Sequence, residues 1–181
     1  SGIGKVNMAV CTQILIDIFS VDTVINTGVA GSLNNILEIG DIVLSRCAQQ
    51  HDMDVSPLGD PVGIIPRMDE SVFAADETLV KLAKEACEKA NSDIICHVGK
   101  VVSGDQFIAD GEKKQYLIDT FEGDCAEMEG AAMAQVAYLN HVPFLIIRAI
   151  SDKADNSGHM DYPTFAKQAI THTVALLKEM Y

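Results

Sequence analysis

A chain of 181 residues has the length of one ordinary domain, and we expect a single domain over residues 1–181. Its residues are 48% apolar and 22% charged, which is the composition of a folded globular protein rather than a disordered one. The formal net charge of −13 argues against nucleic acids and anionic membranes as partners, and it favours a small neutral or cationic ligand.

Cysteine usage indicates a reducing compartment. The five cysteines are odd in number and form no C-x-x-C pair, so we expect free thiols and a cytoplasmic protein. The longest apolar stretch near the N-terminus, residues 8–19, is interrupted by Thr12, Gln13 and Asp17. It therefore fits neither a membrane span nor the apolar region of a secretory signal.

Apolar periodicity predicts helices and strands in near alternation. The first half of the chain reads as a helix at 6–19, a strand at 23–26 with a small-residue loop at 27–31, and a strand at 41–48. Residues 49–70 hold three of the five prolines and show no periodicity, so we expect a long functional or interfacial loop.

The second half continues the alternation. We predict a helix at 76–90, a strand at 94–103, a helix at 112–120, an extended segment at 125–128, a helix at 130–140, a buried strand at 143–150 and a helix at 162–180. This order favours an α/β fold with helices on both sides of a largely parallel sheet. Ligands in such folds bind beyond the carboxyl ends of the strands.

Asp152 follows the uninterrupted apolar strand and is the first catalytic candidate. Its carboxyl group is expected at the mouth of the sheet, where partial removal from water favours the protonated form that a general acid needs. The alternative is a turn aspartate that bonds the backbone of residues 153–155. The sequence leaves both open.

Two acidic residues, Glu127 and Glu129, flank Met128. In an extended segment they share one side while Met128 points the other way, and a carboxylate at a strand end can accept two vicinal hydroxyls. The alternative is that one of the acids only begins the helix at Gly130, where negative charge complements the helix dipole. That alternative accounts for a single acid.

Three further patterns have plain alternatives. Phe107 in the segment SGDQFI could stack on a base or simply fill the core. The segment 51–54 offers three potential metal ligands but has no second cluster nearby in sequence, so we expect no metal site. Residues 2–5 (GIGK) lack the first glycine and the Ser/Thr of a phosphate-binding loop, which excludes a nucleoside triphosphate site.

Six motifs occur together in this order: SGIGKV at the start, INTGVAG at 25–31, GDIVLS at 40–45, VSGDQFI at 102–108, AEMEGAA at 126–132 and RAISDKAD at 148–155. With them, essentially the whole chain resembles the 5'-methylthioadenosine/S-adenosylhomocysteine nucleosidases. The resemblance implies a three-layer α/β/α fold of the nucleoside phosphorylase type. It also implies hydrolytic release of adenine from both thio-nucleosides in methionine salvage, without metal or organic cofactor, by a homodimer.

The resemblance also implies roles for individual residues. Asp152 would donate a proton toward N7 of adenine, and Ser151 would orient it. Glu129 would hold the ribose 2' and 3' hydroxyls, and Met128 would line the sugar pocket beside Glu127. Phe107 would stack on adenine, while the backbone of Ile108 would bond its Watson–Crick edge. The remaining matched positions around the sugar and the reacting water are Ile3, Val29, Ala30, Gly31, Arg148 and Tyr162.

In this family the pocket for the 5'-alkylthio group borrows residues from the partner subunit, and Val55, Leu58 and Pro66 occupy the matching loop. Leu58 stands where an aromatic residue is expected, so the sequence leaves open the preference between methylthio and homocysteinyl tails.

Family members precede SGIGK with a first strand, a hairpin and a glutamate that positions the attacking water. The expectation is therefore an N-terminally incomplete domain, through truncation, proteolysis or a partial sequence. If the segment is absent, hydrolysis and stability should both suffer.

Other functions remain open at this point. A purine nucleoside phosphorylase needs arginines for phosphate, whereas this chain has only Arg46, Arg67 and Arg148 and places Asn26 where related phosphorylases typically have an arginine. A catalytically impaired fragment that binds adenine nucleosides is a second alternative. Futalosine or AMP nucleosidase is a third, although the acidic chain argues against a phosphorylated substrate.

Overall fold

The computed structural model describes residues 1–155 and 158–180, with side chains in the last helix described at 165, 167 and 170–180. The helices are α1 (Lys5–Phe19), α2 (Glu77–Ala90), α3 (Gly111–Phe121), α4 (Gly130–Leu139) and α5 (Gly158–Met180). The strands are β1 (Val24–Ser32), β2 (Ile42–Gln50), β3 (Val72–Ala74), β4 (Cys96–Ser103), β5 (Cys125–Glu127) and β6 (Phe144–Asp152). A short 3-10 helix, Ser56–Leu58, interrupts the long loop.

The six strands form one mixed sheet in the order β3-β2-β4-β5-β1-β6, which closes on itself because β6 also pairs with β2. β1 and β6 run parallel to each other, and β2, β4 and β5 form a second parallel group. The two groups run in opposite directions and meet through β1–β5 and β2–β6. The predicted α/β fold is confirmed, but the sheet is mixed rather than largely parallel because curvature brings the opposed groups together.

Helices cover both faces of the sheet. On one face Met133 of α4 packs in a cluster with Ile146 and Ile150, and on the other Ala83 of α2 and Leu176 of α5 pack in a cluster with Leu145. Neighbouring residues of β6 thus point into two different cores, as period-two geometry requires, and all nine residues of this strand are buried. This layering agrees with the predicted three-layer arrangement.

Helix α1 turns its predicted apolar stripe away from the core. Val6, Val10, Ile14 and Ile18 are exposed, while Met8 and Thr12 face the interior, where α1 packs against α4. The spacing of the apolar residues correctly predicted a helix with one apolar face. It does not indicate which part of the protein that face packs against.

Strand β1 extends through the segment that we expected to be a loop. Two glycines allow this extension, because the side chains of β6 lie directly over them. A Cβ atom on Gly28 would overlap the guanidinium group of Arg148, and one on Gly31 would lie 2.7 Å from Asp152 Oδ1. The small residues of this segment therefore make room for neighbouring side chains instead of marking a turn.

Within the part of the chain that the structure describes, no helix has both the length and the apolar composition needed to span a bilayer.

Candidate active site

A cavity of about 400 Å³ lies where the carboxyl ends of β1, β5 and β6 meet. This volume is in the range of small-molecule sites. Ten of the predicted site residues line it: Ile3, Val29, Ala30, Gly31, Phe107, Glu127, Met128, Glu129, Ser151 and Asp152. The sequence interpretation missed Ala126, although it immediately precedes Glu127 in the AEMEG motif. The structure thus brings together five segments that lie far apart in the chain.

Asp152 is the last residue of β6 and is only 2% exposed. Its Oδ2 accepts a hydrogen bond of 2.9 Å from the Ser151 hydroxyl, and its Oδ1 accepts one of 2.9 Å from the backbone N–H of Ala154. The second bond is the turn contact that we considered as the alternative role. The carboxyl group therefore makes the turn contact and lines the cavity as well.

Two lysines hold the segment that follows Asp152. Lys114 Nζ donates to the carbonyl oxygen of Lys153 at 2.6 Å, and Lys153 Nζ donates to the carbonyl oxygen of Leu37 at 2.6 Å. Burial lowers the pKa of Lys114, an effect opposed by the nearby Asp155 carboxylate. These contacts fix the backbone from both sides and so restrict the position of the Asp152 side chain.

Glu127 is a buried carboxylate at the floor of the cavity. Both of its oxygens accept a hydrogen bond from the backbone N–H of Gly130, at 2.9 and 2.8 Å. Glu127 is therefore the acid that binds the N-terminus of helix α4. It also receives hydrogen bonds from Ser103 and from Arg148, which in turn bonds Asn26. Arg148 is 3% exposed and lies under the cavity rather than lining it, with its charge compensated by Glu127.

Glu129 is placed differently, because the chain bends after β5 ends at Glu127. Its side chain does not cap α4. Instead Oε1 accepts the backbone N–H of Gly4 at 2.8 Å, and Oε2 lies 3.8 Å from Arg148 Nη2. Glu127 and Glu129 thus both line the cavity, as carboxylates on one side would, but the strand ends between them and their hydrogen-bond partners differ.

Phe107 is 51% exposed at the edge of the cavity, which excludes the core role considered as its alternative. Ile108 is buried and lines a small neighbouring cavity of about 30 Å³, together with Gln106, Met128 and Asp152. The segment after β4 thus places an aromatic ring and adjacent backbone on one side of the site.

Three predicted residues stand apart from this cavity. Val55 is half-buried, Leu58 is 84% exposed and Pro66 is exposed, and none of the three lines the cavity. Tyr162 lies outside the residues whose side chains the structure describes. Among described side chains, no group of three or more His, Cys, Asp or Glu residues is arranged to bind a metal ion.

Comparison with known proteins places this architecture in a family. A family model described as the phosphorylase superfamily matches residues 1–181. A 5'-methylthioadenosine/S-adenosylhomocysteine nucleosidase of Staphylococcus carnosus (strain TM300) is 40% identical over 181 residues, which cover 99% of this chain and 78% of that protein. The chain belongs to the 5'-methylthioadenosine/S-adenosylhomocysteine nucleosidase family. Membership agrees with the resemblance carried by the six sequence motifs.

Solved structures agree with this family assignment. The Neisseria meningitidis nucleosidase in complex with methylthio-immucillin-A gives a TM-score of 0.94 at 38% identity, covering 99% of this chain and 78% of that one. Futalosine hydrolase of Helicobacter pylori strain 26695 gives the same TM-score at 36% identity, covering 99% and 76%. The nucleosidase fold is therefore shared by relatives named for different nucleoside substrates.

Proposed function

We propose that this chain hydrolyses the N-glycosidic bond of 5'-methylthioadenosine and S-adenosylhomocysteine, releasing adenine and a 5-thioribose product. One observation carries the proposal: Asp152 and Glu129 line the same largely apolar cavity, with Phe107 at its edge. A nucleoside needs such a set of groups, because its base must be stacked and protonated while its ribose hydroxyls are held.

The proposed chemistry begins at the base. Asp152 donates a proton to N7 of adenine, so the electrons of the breaking C1'–N9 bond are accepted by a neutral leaving group. The Ser151 hydroxyl and the Ala154 N–H orient the carboxyl group through their 2.9 Å hydrogen bonds. Water supplies the oxygen that bonds to C1', and the proton that this water loses passes to solvent, from which the Asp152 carboxylate is protonated again.

The sugar is held from the opposite side. Glu129 accepts hydrogen bonds from the ribose 2' and 3' hydroxyls, and its negative charge stabilises the positive charge that develops on the ribose. The Gly4 N–H fixes one oxygen of this carboxylate at 2.8 Å. Met128 and Val29 supply apolar contacts along the sugar and its thioether.

Adenine occupies the side formed by the segment after β4. The ring of Phe107 is accessible for stacking, which contributes about 1 to 3 kcal/mol per base in other proteins. The backbone of Ile108 bonds the Watson–Crick edge of the base. This assignment uses both features of the segment, the exposed ring and the adjacent buried backbone.

We also propose that two copies of the chain associate through α1 and the loop at 51–70. The exposed apolar stripe of Val6, Val10, Ile14 and Ile18 supports this, because it reaches the cavity edge near Ile3. An apolar helix face of this kind is typical of protein interfaces.

The second copy would bring its Val55, Leu58 and Pro66 to the 5' end of the substrate. Light scattering should then give twice the chain mass. Val10→Asp should give the monomer mass, whereas Ile36→Asp, a change at an exposed apolar residue outside α1, should not.

Water is the preferred nucleophile over phosphate. None of the described residues lining the cavity is Lys or Arg, and the nearby Arg148 is already paired with Glu127. A phosphorylase would need free cationic groups at this place. Futalosine is a second candidate substrate, because the Helicobacter pylori futalosine hydrolase matches this fold as closely as the methylthioadenosine nucleosidases do.

A cytoplasmic location and a place in methionine salvage complete the proposal. The location rests on five free cysteines, a pattern that persists in reducing compartments.

The test measures base release by chromatography from three nucleosides in parallel: adenine from methylthioadenosine and from S-adenosylhomocysteine, and hypoxanthine from futalosine. Release of adenine that is independent of phosphate and lost in Asp152→Asn supports the proposal. Release that requires phosphate contradicts hydrolysis, and turnover of futalosine alone contradicts the substrate assignment.

A further inference from the structure

Three hydrogen bonds meet at Lys5, outside the cavity lining, and a fourth joins two of its partners. Lys5 Nζ donates to Asp52 Oδ1 at 2.6 Å and to Gln50 Oε1 at 2.9 Å. The backbone N–H of Lys5 donates to Asp105 Oδ1 at 2.8 Å, and the backbone N–H of Asp105 donates to Asp52 Oδ2 at 2.9 Å. Lys5, Asp52 and Asp105 therefore form a closed ring of contacts, which we call the Lys5 cluster.

The Lys5 cluster connects three segments that each carry part of the proposed site. Lys5 follows Gly4, whose N–H holds Glu129. Asp105 lies two residues before Phe107. Asp52 precedes the loop that contains Val55. The contacts span sequence separations of 47, 53 and 100 residues, so they hold together parts of the fold that no local hydrogen bond connects.

The ion pair at the centre of the cluster is partly shielded from water. The side chains of Lys5 and Asp52 are 19% and 16% exposed. Burial alone would raise the pKa of Asp52, but the hydrogen bonds from Lys5 and from the Asp105 backbone hold it below its usual value. Asp52 is therefore a charged acceptor with two oxygens assigned to two different segments, which makes its bonds stronger than those of a neutral pair.

The segment after β4 also has a steric support. The His51 ring lies directly against Gly104, where any Cβ atom would overlap it, and it is edge-on to Phe121 at a centroid distance of 6.4 Å. This packing supports Gly104 from inside the protein. It does not restrain the exposed Asp105, which is held by the Lys5 cluster.

We propose that the Lys5 cluster is a positioning device that sets the distance between the base side and the ribose side of the site. Through Asp105 it orients the segment that carries Phe107, and through Gly4 it orients Glu129. None of its three members touches the substrate. The identity of the nucleoside rests on the proposed function, whereas the positioning role is tested on its base side, through adenine binding.

A reporter and a matched pair of variants test this role. The chain contains no tryptophan, so Phe107→Trp introduces a single fluorescent reporter in the segment. Asp52→Asn removes the charge that pairs with Lys5. Asp54→Asn is the control, because among the described residues that exposed carboxylate bonds only the neighbouring Ser56. We expect Asp52→Asn, but not Asp54→Asn, to lower the anisotropy of Trp at position 107.

Adenine affinity, measured by calorimetry in chains that retain Phe107, is the second readout. Asp52→Asn should weaken binding roughly tenfold, because misplaced contacts lose binding energy. Asp105→Ala changes only an exposed side chain and should also weaken adenine binding roughly tenfold. If Asp52→Asn does not fold, the adenine affinity of Asp105→Ala tests the positioning role instead. A purely structural role would lower the unfolding temperature and leave adenine affinity unchanged in the folded variants.

The outcomes separate this inference from the proposed function. Adenine affinity within twofold of the wild type in both variants overturns the positioning role, whatever the anisotropy. A wild type that binds adenine but releases none from methylthioadenosine contradicts the proposed function. The positioning role is then still tested by the adenine affinities of the two variants. If the wild type binds no adenine, unchanged anisotropy in both variants overturns the positioning role.

Discussion

Ser151 donates a hydrogen bond of 2.9 Å to its neighbour Asp152 at the end of β6. The bond holds the carboxyl group against the cavity lined by both residues. We predict that Asp152→Asn lowers kcat for adenine release by about a thousandfold, as expected for loss of a general acid. Adenine affinity should change far less. Asp119→Asn, on the exposed face of α3, should leave kcat unchanged, and an active Asp152→Asn enzyme would exclude the acid role.

Ser151→Ala should have a smaller effect on the same step. The acid remains present, but the hydrogen bond from Ser151 that orients it is lost, so we expect kcat to fall about tenfold. The free energy of unfolding should change by about 1 kcal/mol, since a single hydrogen bond is removed. Rescue of kcat by Ser151→Thr, which restores a hydroxyl, would support orientation as the cause.

Glu127 and Glu129 should separate stability from activity. Glu127→Gln removes the charge that compensates buried Arg148, and we predict a loss of about 3 kcal/mol in the free energy of unfolding. Glu129→Gln should change stability by less than about 1 kcal/mol, because its side chain is partly exposed, yet it should lower kcat/KM by about a hundredfold. Urea unfolding and steady-state kinetics of both variants check this, and the reverse pattern would contradict the assigned roles.

The two glutamates also show how far the sequence could predict the site. Their shared motif indicated a pair of carboxylates near the sugar, and both line the cavity. Their difference depends on Arg148 and Gly4, which lie far away in sequence and approach only after folding. Similarly, Phe107 could not be assigned from spacing, since an aromatic residue after a strand can pack inward or outward.

The fold was predictable where burial follows a simple period. β6 is buried on both faces and was recognised from its apolar run. The closure of the sheet was not predictable, because the pairing of Ile42–Leu44 with Ile147–Ala149 depends on curvature rather than on local pattern. The direction of the apolar face of α1 was missed for the same kind of reason, since periodicity gives a stripe but not its partner.

Gly31 should be essential to the acid's position. A methyl group there would lie 2.7 Å from Asp152 Oδ1 and 2.8 Å from Ala154 Cβ, closer than real side chains approach. We predict that Gly31→Ala displaces the carboxyl group and lowers kcat at least tenfold. Gly111→Ala is the matched control, because its Cβ would meet nothing within 4 Å. Equal kinetics for the two variants would show that the close approach does not matter.

His51 should make stability depend on pH. Burial lowers the pKa of His51, opposed by Asp52 and assisted by Lys113. The unfolded chain therefore binds a proton at His51 near pH 6.5 more readily than the folded chain does. The contribution of neutral His51 to the free energy of unfolding is complete above about pH 6.5 and is lost as the pH falls below that value. The free energy of unfolding should fall by up to about 1.4 kcal/mol per pH unit there.

Two variants isolate this effect. His51→Phe removes the titrating group and should flatten the pH dependence of urea unfolding below about pH 6.5. His141→Asn is the control at an exposed position with φ 56°, a conformation that asparagine tolerates. An unchanged slope in His51→Phe would assign the pH dependence to other groups.

The most direct test of the central claim is the fate of water oxygen. Methylthioadenosine is incubated with the protein in water enriched in the heavy oxygen isotope, with phosphate present, and the sugar product is analysed by mass spectrometry. The account predicts free 5-methylthioribose that carries one heavy oxygen, with one equivalent of adenine. A phosphorylated sugar without the heavy isotope would contradict hydrolysis and assign the chain to phosphorolysis.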